Sequence, residues 1–219
     1  MPGAIAKATW DAAVKLAGER NCRVTAELVR IVYRRLDCAG SLKPIQLSSS
    51  SLEWTTPSCF VYLARQVLGG IDFDPCSNGI SQRTIQALQY FGKEDNGLQQ
   101  SWHGRVFVNP PFGTLGCNSQ QGLFLSKAIA EYEAGRACEV ILLLKVAIGY
   151  AWFQQALQHP HAFMKDKVSF IPDHERHTTE MLSGNPHGSV VVYLGHNIDL
   201  FCEVFTTVAL IPGQNCWSR

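Results

Sequence analysis

The sequence predicts an α/β fold built on a doubly wound, mostly parallel sheet, and three observations carry that prediction. Short apolar runs alternate with amphipathic helical patterns through most of the chain, the signature of strand–helix–strand units. Val140-Ile141-Leu142-Leu143-Leu144 is continuously apolar, as a central parallel strand covered on both faces requires. Val106-Phe107-Val108 runs straight into Asn109-Pro110-Pro111-Phe112. Two consecutive prolines have no N–H to give to a ladder, so that strand must end in a stiff corner.

Taken in order, the chain opens with two helical patterns, over residues 9–20 and 25–36. Leu28, Val29, Ile31, Val32 and Leu36 share one side of the second, and Arg30, Arg34 and Arg35 lie mostly on the other. Gly40 to Ser51 reads as a linker, so residues 1–50 form a helical extension and residues 51–219 the main domain. Pro57 suits the first turn of a helix whose apolar face is Phe60, Leu63, Ala64, Val67 and Leu68, stopped by Gly69-Gly70. Residues 71–77 read as a short strand ending in an acidic, proline-stopped turn. A weaker helix follows over 81–89, then a short strand at Tyr90-Phe91 and a polar loop over 93–98. Beyond the Asn109 strand come a helix over 120–132, the apolar strand, a helix over 152–157 and a strand over 168–171. Residues 172–187 read as a long loop, followed by a strand at 190–194, a short helix at 199–205 and a last strand at 207–211. His159 and His161 flank a proline and are expected at the surface.

A chain of 219 residues, 46% hydrophobic and 17% charged, suits one globular main domain that needs no staples. Its eight cysteines include no CxxC pair, which leaves a zinc knuckle unsupported. With no secretory signal and no apolar run of membrane-spanning length, they read as reduced thiols of an intracellular protein. Residues 1–50 hold eight Lys/Arg against four Asp/Glu, a net +4, whereas residues 51–219 hold eleven against fourteen, a net −3. The basic excess suits an arm touching phosphates and equally suits a solvated helix pair.

The Asn-Pro-Pro-Phe corner suits methylation of an exocyclic amine. The Asn109 carboxamide oxygen and the Pro110 carbonyl can accept both hydrogens of a flat NH2 group and free its lone pair, while the Phe112 ring stacks on the base that carries it. Asp72 and Asp74 end the first strand of the sheet, where a carboxylate can receive a ligand's ammonium or cap a helix. Thr55 and Thr56, before a helix N-terminus, favour an anion or serve as a plain cap. Glu94 and Asp95 suit a sugar or a ring edge, or simply water. His174-Glu175-Arg176-His177 is not HExxH and has no third ligand at a recognisable spacing. It reads as a loop that brings Arg176 and His177 to substrate phosphates, with no metal. No GxGxxG marks a dinucleotide site, and no GxSxG marks a nucleophile.

Several stretches occur together in one order: Glu53-Trp54-Thr55-Thr56-Pro57, Gly70-Ile71-Asp72-Phe73-Asp74-Pro75, Tyr90-Phe91 with Lys93-Glu94-Asp95 and Gly97-Leu98, and Trp102 through Gly113. Trp152-Phe153-Gln154 and Gly188 through Gly195 continue the pattern. Over roughly Leu52 to Ile211 the chain resembles the phage-type (Dam-like) DNA adenine-N6 methyltransferases. The resemblance implies a class I, Rossmann-like methyltransferase fold, S-adenosylmethionine as cofactor, and adenine N6 in DNA as acceptor. It implies Asn109, Pro110, Pro111 and Phe112 as the catalytic corner and Asp72 and Asp74 as cofactor contacts, with Trp54, Thr55, Thr56, Pro75, Glu94 and Asp95 counted beside them. Residues 1–50 lie outside the likeness and no separate target-recognition domain is visible. RNA in place of DNA, and a non-catalytic binding module of the same fold, are the alternatives. Recognition sequence and oligomeric state are not legible.

Overall fold

The computed structural model describes residues 54–168, 171–172 and 187–213. Seven strands form the main sheet: β2 (Phe73–Asp74), β3 (Gln89–Tyr90), β4 (Gly104–Val108), β7 (Ala137–Lys145), β8 (His161–Met164), β10 (Ser189–Leu194) and β11 (Ala209–Leu210). Two small pairs lie apart from it, β1 (Trp54–Thr55) with β9 (Ile171–Pro172), and β5 (Thr114–Leu115) with β6 (Asn118–Ser119). The helices are α1 (Ser58–Leu68), α2 (Gln82–Ile85), α3 (Gln120–Glu133), α4 (Ala151–Ala156) and α5 (Ile198–Thr206), with a 3₁₀ turn over Lys93–Asp95.

Across the sheet the order is β11-β8-β10-β7-β4-β2-β3. The pairings β3/β2, β2/β4 and β4/β7 are parallel, and those of β10 with β7, β10 with β8 and β11 with β8 are antiparallel. Five of the seven strands therefore run one way, with β10 and β11 reversed. The sheet is mixed, less uniformly parallel than the sequence suggests, because β10 inserts antiparallel between β7 and β8 and β11 adds antiparallel at the edge beside β8.

Alternation along the strands divides the core in two. Phe107, Ile141, Leu143, Val191 and Tyr193 pack with α1 and α5 on one face. Val106, Val108, Val140, Leu142, Leu144, Val190 and Val192 pack with α3 and α4 on the other. Helices on both faces make the sheet doubly wound, and β7, buried on both sides, accounts for the continuous apolar run at its centre. Helix α1 ends where Gly69 takes a left-handed φ of 74° and its N–H reaches the Arg65 carbonyl, a glycine C-cap.

Three readings need correction. The strand expected over 168–171 lies earlier, at β8. Val168 is buried in the core without belonging to a strand, and Ile171–Pro172 pairs with β1 instead. His161 is not at the surface: it begins β8, between β10 and β11, with 7% exposure, and its Nδ1 lies 2.7 Å from the His159 carbonyl. Burial lowers the pKa of both histidines. The helix expected over 81–89 is only α2, because Gln86 turns left-handed at φ 48°. The helices expected in residues 1–50, the linker, and most of the loop over 172–187 fall outside the described residues.

Candidate active site

From β2 the chain first moves outward to β3, then returns to the other side of β2 as β4. That reversal makes the carboxyl ends of β2 and β4 a topological switch point, where open α/β sheets bind ligands. Asp74 ends β2 and Asn109 follows β4. Helix α1, which leads back through Gly69-Gly70 to the start of β2, begins at this same edge.

The corner is held in place by its neighbours. The Asn109 Nδ2 donates to Thr56 Oγ1 at 2.9 Å, and Thr56 is buried. One end of the carboxamide is thus engaged, while no described residue donates to Oδ1. Pro110 is buried, Pro111 and Phe112 are half-buried, and the Phe112 ring packs against the α1 core. The Gln120 amide donates to the Phe112 carbonyl at 3.4 Å and closes the turn behind it.

Asp74 is 1% exposed. Its oxygens accept from the Cys76 N–H at 3.2 Å and the Gln82 amide at 2.9 Å, with the Ser77 hydroxyl also bonding it. No cation among the described residues faces it. Burial pushes its carboxyl up to about 7, against the pull of those hydrogen bonds.

Asp72, only two residues away, occupies a different place. It precedes β2 at the amino end of the sheet, where Arg105 begins to pair, and Arg105 holds it as a fork. Nε meets Oδ2 at 2.8 Å, Nη2 meets Oδ1 at 2.7 Å, and the Arg105 backbone N–H adds a third bond at 2.9 Å. Hydrogen bonding from Arg105 holds its carboxyl down at about 2. The sequence groups Asp72 and Asp74 in one cofactor turn; the structure sets them at opposite ends of one short strand.

The remaining candidates distribute as follows. Thr55 is buried in β1, with its hydroxyl 3.5 Å from that of Ser81. Trp54 pairs with Pro172 through β1. Pro75 is buried, and the turn that follows the 3₁₀ helix packs on it: a Cβ on Gly97 would stand 1.9 Å from the Pro75 carbonyl oxygen, so only glycine fits. The buried Trp102 indole fastens this turn by donating to the Gly97 carbonyl at 2.8 Å. Glu94 and Asp95 are exposed, beyond the carboxyl end of β3, and the Asp95 carboxylate accepts the Gly92 N–H at 2.8 Å. Arg176 and His177 fall outside the described residues. Among the described residues no cluster of three or more His, Cys, Asp or Glu could hold a metal ion, and no helix is long and apolar enough to cross a membrane.

Two residues at this edge escape a sequence reading. Cys76 stands between Asp74 and Asn109; burial and the Asp74 charge push its thiol well up, and the Asn109 backbone N–H bonds toward it. Gln121 is 1% exposed, and its Oε1 accepts the Lys145 N–H at 3.1 Å. Its Nε2 is a buried donor without a partner. No motif flags either one, since each is defined only by what the fold brings beside it.

An open α/β sheet whose polar groups converge at the switch point is the framework of a ligand-binding enzyme. The particular kind follows from comparison with protein families: the family model described as DNA N-6-adenine-methyltransferase (Dam) matches residues 46–209. The chain belongs to that family and is a DNA adenine methyltransferase. A comparison with curated proteins gave no match.

Proposed function

We propose that the chain methylates adenine N6 in DNA at the Asn109–Phe112 corner, using S-adenosylmethionine. The observation that carries this reading is the pairing of Asn109 and Asp74 at one switch point. The first is an amide with its nitrogen engaged and its oxygen unclaimed by described residues; the second is a buried carboxylate with no cation among them. The cofactor fits that vacancy of charge, since its amino-acid end carries an ammonium that Asp74 would hold and a carboxylate for which the N-terminus of α1 and the Thr55 and Thr56 hydroxyls are suited. When bound, it supplies an electrophilic methyl group.

The chain's own residues supply orientation. Thr56 fixes the carboxamide so that Asn109 Oδ1 accepts one amino hydrogen of the adenine, and the Pro110 carbonyl accepts the other. Binding both hydrogens turns the nitrogen lone pair out of conjugation with the ring and stabilises the positive charge that grows on nitrogen as the bond forms. The half-buried Phe112 offers a ring edge or face to the extruded base. Adenine N6 sheds its proton after attack, so no strong base is required first. Glu94, Asp95, Pro75 and Trp54 would contact the cofactor, and Arg176 and His177, which fall outside the described residues, would serve substrate phosphates. Asp72 has no part here, because Arg105 already satisfies both of its oxygens. Residues 1–50 act as a basic arm on the phosphate backbone, within an intracellular enzyme.

The test is labelled-methyl transfer from S-adenosylmethionine to duplex DNA, single-stranded DNA and RNA, with nucleoside digestion of the product. The reading expects N6-methyladenine in DNA, reduced at least about 100-fold in Asn109→Ala. Transfer to RNA alone would replace the acceptor. Cofactor binding with no transfer to any polymer would make the chain a non-catalytic module.

A further inference from the structure

The two loops that leave β4 and β7 flank the Asn109 corner, since those strands are neighbours and parallel. The first carries the β5–β6 hairpin, paired Thr114 to Ser119 and Leu115 to Asn118. The second, between β7 and α4, is an ordered turn: the Tyr150 N–H bonds the Ala147 carbonyl at 3.1 Å, and the Gln154 amide holds the Ile148 carbonyl at 2.5 Å. Both loops present large apolar side chains to solvent, with Leu115 58%, Ile148 65% and Tyr150 62% exposed. A Cβ built on Gly116 or Gly149, at the crest of each loop, meets nothing within 4 Å. Half of the large apolar residues exposed among the described ones are thus concentrated beside one corner.

Charge narrows what this lip faces. Residues 96–130 and 140–165 contain no Asp or Glu, although the chain has 18. Two apolar loops with no acidic residue of their own suit a polyanion whose interior is apolar, which is a stacked duplex. An adenine can reach Asn109 only after leaving that stack, and apolar side chains inserted between base steps compensate for the lost stacking.

We propose that Leu115, Ile148 and Tyr150 form a wedge that enters duplex DNA beside the target adenine and holds the gap open while the base occupies the corner. This rests on the adenine-methyltransferase reading and adds the surface that makes a paired adenine accessible. A wedge contributes to extrusion and leaves the chemical step alone, so its removal penalises paired substrates only.

The experiment compares the full-length wild type with Ile148→Ser/Tyr150→Ser, and with the triple variant adding Leu115→Ser. Labelled-methyl transfer is measured on unmethylated bacterial genomic DNA, native and heat-denatured, together with S-adenosylmethionine binding. The expected result is a loss of about tenfold or more on native DNA, less than about twofold on denatured DNA, and unchanged cofactor binding. Equal loss on both substrates, as expected if the lip seats another stretch of this chain, overturns the wedge, and so does full activity on native DNA. A wild type that methylates only denatured DNA also overturns it while leaving the adenine chemistry standing; no wild-type transfer to either DNA removes the underlying reading instead. If the wild type acts on native DNA alone, Tyr150→Trp decides. Extra emission quenched by added duplex carries the proposal, and unquenched emission overturns it.

Discussion

Asp72 and Asp74 are the same residue type in one short motif, yet their carboxyls are displaced in opposite directions, to about 2 and about 7. The first lies at the amino end of β2 with a guanidinium forked on both oxygens. The second lies at the carboxyl end, fully buried, with only neutral donors. One charge is complete within the fold and ties β2 to β4. The other has no charged partner among the described residues, and burial raises its carboxyl. Such a shift marks a candidate functional position when the group also lies at a topological switch point, where the carboxyl end of β2 stands.

The comparison breaks most visibly at Asp74. Replacing it with Asn keeps the shape but removes the charge and lets only one of the Cys76 and Gln82 donors keep its acceptor, and should weaken S-adenosylmethionine binding by about 100-fold in calorimetric titration, the scale of a charge-assisted contact. The same change should leave the ligand-free protein at least as stable at pH 8, because a desolvated charge has gone. A carboxylate that served only the fold would give the opposite pattern.

Next in size is Gly97→Ala, which drives a Cβ into the Pro75 carbonyl at 1.9 Å. It should destabilise the fold by about 2 kcal/mol and lower cofactor affinity with it, since that turn carries Asp74. Gly104→Ala is its counterpart at the other end. Gly104 has a φ of 66°, and a Cβ there meets Asp72 Oδ2 at 2.6 Å, so thermal melting should show a similar loss without a change in affinity for the folded protein.

Asp72→Asn should cost about 1 kcal/mol, discounted because the pair is partly exposed, and leave cofactor affinity within about twofold. The pH dependences then separate by sign. Asp72, with its folded value below the ordinary 3.8, contributes stability present above pH 4 and lost as pH falls through about 2. Asp74, with its folded value raised, favours the ligand-free fold below pH 4. That advantage shrinks as pH rises from about 4 to about 7 and is gone above. Denaturant midpoints across pH 2–8 for the two Asn variants check both windows.

Much of this was legible in the residues. The Pro-Pro stop located the corner because proline chemistry is local, and β7 was legible because burial on both faces leaves no polar position. Helix α1 announced both ends, with Pro57 before it and Gly69 after it. What sequence could not supply was everything set by distant partners. The division of Asp72 from Asp74 depends on Arg105, 33 residues away. Strand β8 reads His-Ala-Phe-Met and lacks the β-branched residues that mark a strand, while Val168 and Ile171 carry them outside it. The Thr56 contact that orients Asn109 spans 53 residues, and no local pattern announces it.

The measurement that bears most directly on the account is the proton balance of cofactor binding. Titration calorimetry of S-adenosylmethionine at pH 6, in two buffers of different ionisation enthalpy, reports protons released per molecule bound. With Asp74 largely protonated before binding and ionised after it, the wild type should release about one proton at pH 6 and few at pH 8.5, whereas Asp74→Asn should release none at either. Binding of undiminished affinity with no release at pH 6 would contradict the assignment and return Asp74 to the fold alone.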